Sequence, residues 1–284
     1  MSPQAKGLLI TAIGALCVVP DSLFVRLIDA DPLAIAFLRN MISGMLVLIG
    51  LLLWQGVAPF RAVLATGWHG VIYMIALGSS GVLFVLAVSL TSVANVVFII
   101  ASMPVFAAIF SRMFLGERIS PRMFYTILAV IAGLAVIAYG SGETENANWR
   151  GDLLALMVSG GFAAGLTAVR RVKEVSMVPA VPMAYIGSAL LILPFADLGT
   201  VRPDQSGLIL MHGAFIVASA TLLALGPRYI TSAEVALLIL LESVLAPLVV
   251  WAILGENPGR WALVGGGIVV GALAVSNLIV LRRR

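Results

Sequence analysis

Leu115-Gly116-Glu117 and Leu254-Gly255-Glu256 are one tripeptide written twice, 139 positions apart. The match runs outward at that spacing: Ala94 returns as Ala233, Ser80 as Ser219, and Leu134-Ala135-Val136 as Leu273-Ala274-Val275. Further upstream, Val25-Arg26 echoes as Val169-Arg170 at a spacing of 144. Each copy holds five long apolar stretches, and an odd number of crossings leaves a chain on the opposite side of a bilayer from its start. The second copy therefore enters upside down relative to the first, the signature of carriers that hold a solute between two inverted halves.

Composition agrees. Hydrophobic residues make up 61% of the chain and charged residues 11%, with a mean hydropathy of +1.12, too little polar side chain to cover a soluble globule. Ten spans are predicted, at 7–25, 33–54, 67–89, 93–111, 123–139, 153–169, 180–196, 206–226, 231–255 and 261–281, each near the ~20 residues that cross ~30 Å of hydrocarbon. Barrel strands would instead alternate in segments of about ten. The expected fold is all-α and polytopic, ten transmembrane helices in two inverted five-helix repeats, residues 1–140 and 151–284. The polar stretch from Gly140 to Asp152 is the seam.

Twelve of the 17 Lys and Arg residues fall on the side that holds both termini, which places the termini in the cytoplasm. Arg170, Arg171, Lys173 and Arg282-Arg283-Arg284 are the strongest anchors, and they read as a topology signal rather than a nucleic-acid surface. The five tryptophans, Trp54, Trp68, Trp149, Trp251 and Trp261, sit at span ends as an interfacial belt. A single cysteine, Cys17, excludes an internal disulfide and any CxxC metal or redox site, and reads as packing. HExxH, paired-Asp, P-loop and dinucleotide motifs are absent, so no catalytic residue, metal or cofactor is expected.

Four charges lie inside the spans: Asp21, Arg39, Glu234 and Glu242. Glu242 falls near the midplane, where an unpaired carboxylate costs at least ~2.5 kcal/mol; it reads as a structural carboxyl or as a group that meets a substrate ammonium or carries a proton. Glu234 sits near the cytoplasmic water and suits a gate or cap. Asp21 and Arg39 share a depth, which predicts an ion pair or an outer gate. His69 and His212 read as interfacial hydrogen-bonders rather than proton relays.

Helix breakers recur in both halves. Pro20-Asp21 interrupts span one and Gly160-Gly161 with Gly165 stands at the matching place in span six; Pro104 interrupts span four, with Ser243 and Pro247 in span nine. Such breaks are tolerated where protein or cavity water satisfies the freed backbone, which points to a central cavity lined by spans one, four, six and nine, hinged at Pro20, Pro104, Gly161 and Gly165. Helix packing is the alternative for Gly161 and Gly165, and the preferred reading for Gly267 and Gly271 in span ten. Asn95, Phe98, Ser102, Ser243 and Glu242 are the candidate substrate contacts; Phe98 leads the deep aromatics, Phe84, Phe106, Phe162, Tyr185 and Phe215, as an apolar surface for an aromatic or aliphatic side chain.

These residues resemble the EamA module of the drug/metabolite transporter superfamily. Pro32 with Arg39, the run from Ala94 through Pro104 to Leu115-Gly116-Glu117-Arg118, and Gly133 carry the likeness in the first copy; Ala233, Pro247, Leu254-Gly255-Glu256 and Gly271 carry it in the second. The Trp-Gly pair common in the family's first helix is replaced by Val18-Val19-Pro20-Asp21. The resemblance implies a bacterial inner-membrane carrier that exports small metabolites by alternating access, with spans five and ten packed outside. General similarity points to exporters of aromatic and other neutral amino acids; a multidrug or organic-cation exporter is the alternative. The implied partners are a small solute and the bilayer, with proton coupling open, and the chain reads as a monomer. An intramembrane protease is the competing class, since Gly78-Ser79-Ser80-Gly81 resembles the G-x-S-G of rhomboid-like proteases, with His212 as base to Ser80.

Overall fold

Helices begin at the residues best able to cap them. Ser2 opens α1 (Pro3–Val18), Asp31 opens α3 (Pro32–Gln55) and Ser120 opens α8 (Pro121–Tyr139), each side chain accepting a backbone N–H of the first turn. A proline follows each cap, where its missing N–H costs no intrahelical bond. Ser92 caps α6 (Val93–Ile100) in the same way. The remaining helices are α2 (Asp21–Leu27), α4 (Ala58–Ala65), α5 (Trp68–Leu90), α7 (Met103–Leu115), α9 (Trp149–Val169), α10 (Ala180–Ile192), α11 (Ser206–Leu225), α12 (Ser232–Leu254) and α13 (Arg260–Arg282). The computed structural model describes residues 2–140, 147–172, 174–225, 229–230 and 232–282; most of the seam, Lys173 and residues 283 and 284 lie outside them. Among the described residues nine helical stretches are long and apolar enough to cross a membrane, and Ala180–Phe195 is a shorter tenth.

The duplicated tripeptide ends a helix in both halves. Gly116 (φ +71°) terminates α7 and Gly255 (φ +70°) terminates α12, left-handed positions where a Cβ is strained and glycine is not. The repetition is thus a repeated helix stop that delivers Glu117 and Glu256 just beyond it.

The breaks fall unevenly. Span one is split into α1 and α2 at Val19-Pro20, and span four into α6 and α7 at Ala101-Ser102, three residues before the Pro104 ring would meet the helix. Pro104 cannot donate to Ile100, four residues earlier, and Ser159 from α9 approaches that carbonyl at 3.4 Å instead. The expected counterparts in the second half are unbroken: α9 runs straight through Gly160, Gly161 and Gly165, and α12 through Pro247. Glycine keeps its N–H, so it weakens a helix by only about 1 kcal/mol and does not open the ladder.

Glycines are used for close approach instead. A Cβ on Gly161 would stand 3.0 Å from Ser80 Oγ and one on Gly165 3.0 Å from Ala76, so both lie along α5. Spans five and ten pair at Gly133 and Gly265, where an added Cβ would come within 2.8 and 2.6 Å of the opposing carbonyl. Gly267 and Gly271 have nothing within 4 Å. The packing face of span ten is therefore not the expected one, because two residues along a helix turn a side chain by ~200°.

The larger hydrophobic cluster joins Phe24, Val25 and Val85 with Val96, Val158 and Val250, drawn from both halves. It lies toward the end where α2 stops and α6 begins. The smaller cluster, around Val105, Val130, Leu240 and Val269, sits nearer the other end.

Candidate functional site

The break at Pro20 turns Asp21 into the first residue of α2 and buries it, 3% exposed, beside Arg39 of α3, 6% exposed. Arg39 grips it with two parallel bonds, Nε to Oδ1 at 3.0 Å and Nη2 to Oδ2 at 2.6 Å. Nη1 donates to Asn40 Oδ1 at 3.1 Å, and Asn40 passes the chain on to Ser188 of α10 at 3.0 Å. Gly81 makes room for this head: a Cβ there would stand 2.9 Å from Asn40 Oδ1 and 3.3 Å from Arg39 Nη1. The guanidinium lies 5.7 Å from the centre of the Phe84 ring. A two-toothed, fully hydrogen-bonded pair is the form in which two opposite charges can persist away from water.

A third group completes the cluster. His212 of α11, 1% exposed, places Nε2 2.5 Å from Asp21 Oδ1 and stacks its ring on Phe24 at 5.4 Å. An ionised carboxylate only accepts, so Nε2 carries the hydrogen. His212 is thus not the interfacial hydrogen-bonder that its place in the sequence suggests: it is buried, and its partner lies 191 residues away. Asp21 and Arg39 come from the first repeat and His212 from the second. Glu242 of α12, half-buried, comes within electrostatic reach of Asp21 and Arg39.

Among the described residues three further ion pairs cross between the halves; Arg202 with Asp29, at 3.9 Å and exposed on both sides, is the loosest, and the other two are close. Arg26, at the end of α2, sets Nε 2.9 Å from Glu256 Oε2, the N–H not aimed at the oxygen, while its Nη2 donates to the Thr91 carbonyl at 2.9 Å. Glu256 also accepts the N–H of Val93 at 2.8 Å, capping α6. Beyond the end of α9, Arg170 binds Glu117 through both oxygens, at 2.8 and 3.0 Å, and Ser111 Oγ at 2.8 Å. The pairing is reciprocal: Arg26 and Arg170 are the echoed residues, Glu117 and Glu256 the duplicated ones, and each arginine takes the glutamate of the other copy. Span four starts beside Arg26 and finishes beside Arg170, so the two pairs stand at opposite ends of the bundle. They differ in burial, with side chains 20% and 7% exposed for Arg26 and Glu256 against 53% and 46% for Arg170 and Glu117.

The profile of the EamA-like transporter family matches twice, at residues 5–139 and 149–278. The chain belongs to the EamA-like transporter family. It is a membrane transporter of small molecules, since that is what the family contains. A solved structure described as "Crystal structure of protein" shares the fold at a TM-score of 0.64 and 20% identity, over 99% of each chain. No curated protein matches the chain.

In this EamA-family transporter the other expected site residues are placed differently from one another. Asn95, Phe98 and Ser102 spend their contacts on neighbouring helices in this conformation: Asn95 donates to both oxygens of Asp152 at 2.9 and 3.2 Å, Phe98 lies against Gly266, and Ser102 meets Ser159 at 3.2 Å. Ser243 is buried on α12, one residue from Glu242. Glu234 accepts from Gln4 of α1 at 2.8 Å, a bond between halves near the amino terminus. Pro20 and Pro104 stand at helix breaks, whereas Gly161 and Gly165 are packing contacts.

The protease alternative has no dyad among the described residues. His212 is bonded to Asp21, and Ser80 Oγ is buried without a hydrogen-bond partner. The run Gly78-Ser79-Ser80-Gly81 serves packing instead, with an added Cβ at Gly78 falling 2.5 Å from the Ala184 carbonyl. A hollow of about 290 Å³ opens at the Arg170 end, lined by Pro104, Ala108, Ser111, Glu117, Arg122 and Arg170. It is walled by span four, by the loop from Glu117 to Ser120 with the start of α8, and by Arg170 beyond the end of α9.

Proposed function

We propose that this chain is a secondary transporter that exports small metabolites by alternating access, with amino acids, aromatic and other neutral ones, as the solute class, from the bacterial inner membrane with both termini cytoplasmic. The observation that carries this reading is the reciprocal pair of latches, Arg26–Glu256 and Arg170–Glu117, one at each end of the bundle. Two inverted halves tied at both ends can rock only by loosening one tie at a time, with α1–α2 and α6–α7 flexing at Pro20 and Pro104. Between the ties lie Asp21, Arg39, His212 and Glu242.

Solute charge follows from what these groups have left to offer. Arg39 has committed three of its five N–H donors to Asp21 and Asn40 and is 6% exposed, so little of it is left to grip a carboxylate or phosphate. Glu242 keeps part of its surface open and suits an ammonium group. That favours a zwitterion, and it favours an organic cation equally, which stands as the second reading. In liposomes, a panel of labelled amino acids and organic cations separates the two. Glu242→Gln is expected to lower flux of the accepted solute about tenfold or more, the loss of at least ~1.4 kcal/mol of charge recognition. Undiminished flux in that variant would make Glu242 a structural residue.

A further inference from the structure

The hollow beside Arg170 carries more positive charge than a neutral or zwitterionic solute calls for. About 290 Å³ in volume, it sets Arg118, Arg122 and Arg170 against one carboxylate, Glu117, with the hydroxyls of Ser111 and Ser120 between them. Three cations against one anion leave an excess of two positive charges. Glu117 is already answered, since Arg170 holds both of its oxygens at 2.8 and 3.0 Å. Arg122 gives Nη1 to the carbonyl and the hydroxyl of Ser276, both uncharged acceptors that leave its own charge standing. Arg118 is exposed and, like Arg122, has no carboxylate at ion-pair distance among the described residues. The start of α8, a 19-residue helix, adds the positive end of its dipole to the same wall.

Place decides the kind of anion. α8 packs chiefly on α13 and only lightly on α7, so the hollow is a cleft between an outlying helix and the rest of the bundle. The chain on either side of it is apolar and uncovered. Met113 and Phe114 end α7, Phe124 and Tyr125 follow directly on Arg122 and Met123, and all four side chains are exposed. A soluble anion makes no use of such surface. A phospholipid does, because its phosphate reaches the arginines at the membrane surface while its acyl chains lie along the apolar side chains.

We propose that the cleft between α7 and α8 binds the phosphate of an anionic phospholipid, gripped by Arg118 and Arg122. The guanidinium fork matches two phosphate oxygens at once. Arg170 stays with Glu117, so the lipid sits beside the latch without opening it and straps the start of α8 to the end of α7. This inference goes beyond the transporter reading and does not depend on the solute.

The full chain, stripped of lipid in a neutral detergent, is titrated with phosphatidylglycerol, and the bound lipid is counted by native mass spectrometry. At a salt concentration of about 0.15 M diffuse attraction is screened within ~8 Å, so that contact dominates what is read. A single phosphatidylglycerol is expected to bind at least about tenfold more tightly than phosphatidylcholine, which has no net headgroup charge. Arg118→Gln changes an exposed side chain and leaves the fold alone; it is expected to weaken phosphatidylglycerol about fivefold, and together with Arg122→Gln about thirtyfold. Arg61→Gln with Arg112→Gln removes two exposed charges that do not line the cleft and is expected to change the affinity less than about threefold. Equal binding of the two lipids, an unaltered affinity in Arg118→Gln, or an equal loss in the Arg61 and Arg112 pair overturns the proposal. Excess inorganic phosphate is expected to leave the lipid bound; displacement by it overturns the lipid assignment and makes the cleft a site for a soluble anion.

Discussion

Replacing Asp21 with asparagine is expected to cost about 3–5 kcal/mol of stability, because it leaves the Arg39 guanidinium buried without its counter-charge. The substitution keeps the shape of the side chain and removes only the charge. Arg39→Met is expected to cost less, since Asp21 retains His212 as a partner at 2.5 Å and can pick up a proton. The double variant should recover part of the loss of Asp21→Asn, as no buried charge is then left alone. Thermal unfolding of the four proteins in one detergent gives the comparison as a cycle, in which a coupling well above the ~0.5 kcal/mol scatter of independent sites is expected. Additive losses, or an Asp21→Asn protein as stable as the unaltered one, would mean that the pair does not stabilise the fold.

The second large effect concerns the latches. Glu256 is 7% exposed and serves Arg26 and the N–H of Val93 together. Its neutralisation by Glu256→Gln strands the Arg26 charge and is expected to favour opening at that end by about 3 kcal/mol, a shift of more than a hundredfold. Arg170 and Glu117 are about half exposed, where water screens the pair and its loss is worth about 0–1 kcal/mol. Val93, 1% exposed beside the Arg26–Glu256 latch, is a suitable reporter when changed to cysteine in a Cys17→Ala background. Its reaction with a water-soluble maleimide is expected to accelerate strongly in Glu256→Gln and hardly at all in Glu117→Gln. Equal acceleration by both would show that the two pairs do not control separate ends.

The first half of this account was legible in the sequence because proline acts locally. Pro20 and Pro104 remove a donor wherever they stand, and both breaks are where the chain places them. The Asp21–Arg39 pair could be read from depth alone, two opposite charges eighteen positions apart on adjoining spans. The effect of the glycines depends on what packs against them, and α9 remains continuous; Pro247 marks the limit of the proline rule, since α12 runs on through it. His212 carries no local signal, for its partner is 191 residues away. The latches were half visible. Arg26, Arg170, Glu117 and Glu256 stood out as repeated letters, yet repetition does not say that each arginine reaches across to the glutamate of the other copy. That pairing is a property of the inverted arrangement and emerges only when the halves are brought together.

Everything rests on that inversion, and the duplicated glutamates report it directly. In the Cys17→Ala background, Glu117→Cys and Glu256→Cys are each probed in intact cells and in inside-out vesicles with a maleimide that cannot cross the membrane. The account predicts that residue 256 reacts from outside the cell and residue 117 only from the cytoplasmic side; reaction of both from one side would contradict it.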